Sequence, residues 1–84
     1  MTLDEALKMV GDRYGLRDSY VTATGQMMYV VSAEKELRAI PGVNLPESGI
    51  ALLASEVIEL ARNAITIEAL VRRKNPGLFG QSRE

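Results

Sequence analysis

Over the second half of this chain, apolar residues recur every three or four positions. Ile50, Leu53, Val57, Leu60, Ala64, Ile67 and Val71 alternate steps of three and four, which is heptad spacing. Ala51, Ala54, Ile58, Ala61 and Ile65 form a second row beside the first. This pattern predicts one long helix over about 46–74. Pro46 suits its first turn, and Asn75-Pro76-Gly77 is a stop signal. Such a helix would be roughly 40 Å long at about 1.5 Å per residue. Apolar on two adjacent faces, it needs cover from two sides.

The amino-terminal pattern is also helical. Thr2 and Glu5 have capping-box spacing, and Leu3, Ala6, Leu7, Val10 and Tyr14 mark one face. Gly15 suits a left-handed residue closing the helix, which sets its bounds at about 3–14.

The segment between these helices supports two assignments. Tyr20, Val21, Thr22, Thr24, Tyr29, Val30 and Val31 favour strand by residue type, and Gly25-Gln26 could turn a hairpin over 19–32. Against this, Tyr20, Ala23, Met27, Val30, Ala33, Leu37 and Ile40 keep helical spacing, and Ser32 to Ala39 are strong helix formers. A lone hairpin also needs a sheet partner, and no third strand is evident. Helix is the expectation for about 26–39, ended by Pro41-Gly42. The predicted fold is an all-α, three-helix domain over 1–77, with a flexible tail over 78–84.

Composition narrows the chemistry. Among 84 residues there is no cysteine and no histidine. Disulfides, thiolate metal sites and the commonest general base are therefore excluded. A core this small is marginal, and association is the remedy left open. Net charge is −1, so no global attraction to nucleic acid or an anionic membrane is expected. The longest apolar run, 50–54, is far short of a bilayer span, and Asp4 and Glu5 stand where a signal peptide would carry basic residues. A cytoplasmic protein is expected.

Three constellations are candidates for function. The heptad row, with Ile50, Leu53, Val57, Leu60, Ala61, Ala64, Ile67 and Val71, is a seam that two subunits could share as a homo-oligomer. Its acidic start and basic end favour an antiparallel dimer. Arg72, Arg73 and Lys74 complement the helix macrodipole, or alternatively touch phosphate. Leu78 and Phe79 either fold back on the domain or dock a partner. Paired carboxylates sit where solvated helix faces are expected, and no catalytic constellation, cofactor motif or metal-ligand set is present. The expectation is a non-catalytic adaptor, assembly factor or inhibitor that binds another protein and self-associates through its long helix. A small dimeric DNA-binding regulator and a structural subunit of a larger phage or secretion assembly are the alternatives.

Overall fold

Helix α1 (Leu3–Tyr14) begins and ends where the sequence places it. The Thr2 hydroxyl accepts from the Glu5 amide at 3.2 Å, and the Glu5 carboxylate accepts from the Thr2 amide at 2.9 Å. Gly15, at φ 81°, closes the helix by donating to the Gly11 carbonyl. These residues belong to a computed structural model that describes residues 1–45 and 47–79.

Beyond α1 the architecture departs from the all-α expectation. Strands β1 (Leu16–Val21) and β2 (Met27–Val31) form an antiparallel hairpin, and β3 (Ile50–Leu53) pairs with β2 to complete a three-stranded antiparallel sheet in the order β1-β2-β3. The hairpin loop is longer than a two-residue turn. Thr22 donates to the Gln26 carbonyl, its hydroxyl accepts from the Gln26 amide, and Gly25 takes the left-handed position at φ 85°. Of the middle helix expected over 26–39, only the single turn α2 (Glu34–Leu37) is formed.

The long helix is absent as one element. Its residues divide into β3, α3 (Ala54–Ala61) and α4 (Ile67–Lys74), followed by a 3-10 turn (Pro76–Phe79). Two local features cause the division. Gly49 has φ 96°, and a Cβ there would lie 2.6 Å from the Val31 carbonyl oxygen. Only glycine lets the chain enter β3 this close to β2. Asn63 has φ 59°, the left-handed conformation that ends α3. The Thr66 hydroxyl then accepts from the Ala69 amide to start a new helix. Arg13 fixes this corner, donating to the Leu60 carbonyl at 3.3 Å and the Asn63 side-chain oxygen at 2.8 Å. Ile50, Val57, Leu60, Ile67 and Val71 of the heptad row come from three separate elements that turn them toward one core. Pro46 and the tail beyond Phe79 lie outside the described residues.

Helices cover one face of the sheet. Ala6 and Val10 of α1, Val57, Leu60 and Ala61 of α3, and Ile67, Leu70 and Val71 of α4 enclose Tyr29, Val31, Ile50 and Leu52. Leu78 and Phe79 pack against this core from the 3-10 turn. No described helix is long and apolar enough to cross a membrane.

Leu60 is 0% exposed. Leu60→Ala should cost about 2–5 kcal/mol in urea denaturation, whereas Glu59→Ala, at a side chain 44% exposed and 3.6 Å from Arg73, should stay within about 0.5 kcal/mol. Equal losses would contradict this placement of α3. The Glu5 carboxyl titrates below the ordinary glutamate range, first because the Thr2 backbone amide bonds its charged form, then through the Thr2 hydroxyl and the nearby amino terminus. A lowered folded-state pKa gives stabilisation that is complete above the ordinary glutamate pKa and is lost as pH falls through the folded value. Carbon-detected NMR titration should place Glu5 below the ordinary glutamate range, and Thr2→Val should raise it.

Candidate functional site

Register divides the sheet into two faces. Ser19, Tyr29 and Leu52 align on the helix side, as do Leu16, Val31 and Ile50. The opposite face carries two rows, Tyr20–Met28–Leu53 and Asp18–Val30–Ala51. Apart from Asp18 at one margin, that face is apolar. Met28, Val30, Ala51 and Leu53 are half-buried, Tyr20 is 47% exposed, and none of them belongs to the core cluster. A solvent-facing antiparallel sheet ordinarily alternates apolar and polar residues. The sequences of β2 (MMYVV) and β3 (IALL) contain no polar residue at all. They read as strands built to be covered on both sides.

The two edges of the sheet differ. Antiparallel strands direct alternate residues' N–H and C=O groups to opposite sides. On β1, Ser19 turns its N–H outward, and the Asp18 carboxylate takes it at 2.7 Å. Arg17 forms a bulge in the same strand and donates to the Glu47 carbonyl. On β3, Leu53 directs its N–H away from β2 to the Glu56 carboxylate at 2.7 Å. Ala51, two residues earlier, therefore also points its N–H and C=O to the open edge, where no partner among the described residues meets them.

Beside Ala51 lies a cleft of about 370 Å³, lined by Met28, Gly49, Ile50, Ala51, Lys74, Asn75 and Leu78. Its far wall is the end of α4, held by an ion pair. Lys74 Nζ is 2.7 Å from Glu56 Oε1, with the two side chains 19% and 11% exposed. The same oxygen accepts from Leu53 N. Glu56 thus caps α3, takes the outward N–H at the end of β3 and ties the end of α4 to the start of α3.

The residues assigned to a helical seam are placed otherwise. Ile50, Val57, Leu60, Ala61, Ile67 and Val71 are buried in the chain's own core, Leu53 lies on the open sheet face and Ala64 is exposed at the α3–α4 corner. Antiparallel pairing of two long helices has no helix to act through. The basic cluster is internally matched: Arg72 pairs with Glu68 at 2.9 Å, Arg73 with Glu59 at 3.6 Å and Lys74 with Glu56. The Arg72 guanidinium also stacks 4.1 Å from the Phe79 ring centroid. Among the described residues, no group of three or more acidic residues is placed to hold a metal ion.

The sequence reading missed Tyr20, Met28, Val30, Ala51 and Glu56. The signal available for the first four was the unbroken apolar character of two short β-favouring runs. No protein-family model matches the chain, and no curated protein or solved structure matches it significantly.

Glu56→Ala should lower stability by about 3 kcal/mol, because it removes a nearly buried acceptor from Leu53 N–H and strands Lys74. Lys74→Met should cost less, since Glu56 keeps the Leu53 bond. Disrupting the exposed Arg38–Glu34 pair with Arg38→Ala should change stability by about 0.5 kcal/mol or less. Chemical denaturation of the three variants checks the ranking.

Proposed function

We propose that this protein is a non-catalytic interaction module whose working surface is the open face of its sheet. The observation that carries the reading is the row pair Tyr20–Met28–Leu53 and Val30–Ala51, an apolar surface outside the core. Polar groups rim it: Asp18 and Arg17 at the end where β1 begins, and Lys74 and Asn75 beside β3. Apolar patches with polar rims are the ordinary form of protein-binding sites. Such a surface, kept half-covered by its own neighbours, gains by closing against another polypeptide.

The nucleic-acid alternative draws less support. Arg72, Arg73 and Lys74 each face a carboxylate of the same chain, so binding phosphate would first break those pairs.

The test is retention of a partner from an extract of the source organism by immobilised protein. Tyr20→Glu and Val30→Glu place a carboxylate on the open face and should each reduce retention at least tenfold. Asp12→Ala, on the exposed side of α1, should leave it unchanged. A partner retained equally by all four proteins, or by none, would refute the reading.

A further inference from the structure

We infer that the β3 edge takes an extended segment of a partner protein, which adds to the sheet as a fourth strand. The inference deepens the proposed module reading and rests on it. Its first support is the unpaired main chain of Ala51, whose N–H and C=O face outward with no partner among the described residues. An extended backbone presents a carbonyl and an amide at the matching repeat, so a strand answers both groups at once.

The second support is the cleft beside that edge. A strand laid along β3 directs alternate side chains to the open face, next to Ala51, and the space between Met28 and Leu78 receives one of them. Lys74 is the charged residue lining this space. Its ammonium has three donors, of which Glu56 takes one. Glu56 already neutralises that charge, so the segment that fits is apolar throughout.

Area decides against a second copy as the occupant. Three strands at about 4.8 Å spacing and about five residues at 3.3 Å give a face of roughly 240 Å². A stable interface between folded subunits needs about 800 Å² from each partner. An added strand needs less, because main-chain hydrogen bonds supply affinity and the face supplies specificity. Nor are a second copy's own edges suited to the role: its β3 edge offers only Ala51, since Leu53 N–H is taken by Glu56. The β1 edge is bulged at Arg17, and Ser19 N–H is already taken by Asp18.

The test uses a displayed library of random octapeptides selected against the full-length protein. Selection should enrich alternating apolar sequences. Binding of the best peptide should slow hydrogen exchange of the Ala51 amide at least tenfold in the wild-type protein. Ala51→Pro removes the outward donor at an edge position that tolerates proline, and should weaken binding at least tenfold. If no peptide is enriched, or if bound peptides leave Ala51 exchange unchanged, the inference is overturned. The same holds if Ala51 becomes protected with rising protein concentration alone, since a second copy then occupies the edge. Should Ala51→Pro fail to fold, the wild-type exchange measurement decides. Loss of a native partner in Tyr20→Glu, without peptide protection of Ala51, would leave the module standing and remove only the strand.

Discussion

The arrangement of this domain depends on one carboxylate. Glu56 Oε1 receives the Leu53 amide and the Lys74 ammonium, both at 2.7 Å. The first bond sets the residue at which strand becomes helix, because it removes Leu53 N–H from any ladder and satisfies the start of α3. The second holds the last turn of α4 beside the strand just ended. A charge this buried is tolerated when it is paired and hydrogen-bonded. Here both conditions are met by groups from two elements that are distant in sequence. The cleft wall, the strand terminus and the helix start are therefore consequences of a single oxygen.

A domain of 84 residues has little apolar material to spare. This chain nevertheless places Tyr20, Met28, Val30, Ala51 and Leu53 on the side of the sheet that its helices do not cover. Folding gains only partly from those residues, since they bury only in part. The helix-covered face holds the fold together; the other leaves its apolar surface only partly covered. Arg17 reaching Glu47 and Asp18 capping Ser19 keep polar groups at the margin, which limits non-specific contact.

Helix α1 was legible in full because its signals are local: Thr2 with Glu5 at one end and Gly15 at the other. The sheet was not, and its two misreadings supported each other. Assigning Ile50 to Leu53 to a long helix removed the third strand. Without a third strand, the hairpin over 19–32 lacked a partner, and the helical spacing of Met27, Val30 and Ala33 prevailed. The four residues IALL are equally consistent with either period, as short apolar runs are. What separates the assignments is the approach of Gly49 to Val31, a contact between positions 18 apart in sequence. The corner at Asn63 was more accessible. An asparagine followed three residues later by a threonine that can cap is a stop and a start, but the unbroken heptad row overrode it. The open apolar face was illegible for the same reason: without strands there is no register, and without register there are no two faces.

The bulge at Arg17 has a consequence for assembly geometry. A sheet with two open, compatible edges can join head to tail, and unless the rotation closes, such contacts propagate as fibres. Here the two edges are chemically unlike. One is bent, charged and already capped by its own aspartate; the other ends in a walled groove with a single residue's main chain on offer. The β1 edge is therefore a poor match for the β3 edge of another copy. If a strand adds at β3, that asymmetry keeps copies of the chain from joining β3 to β1 in an open series.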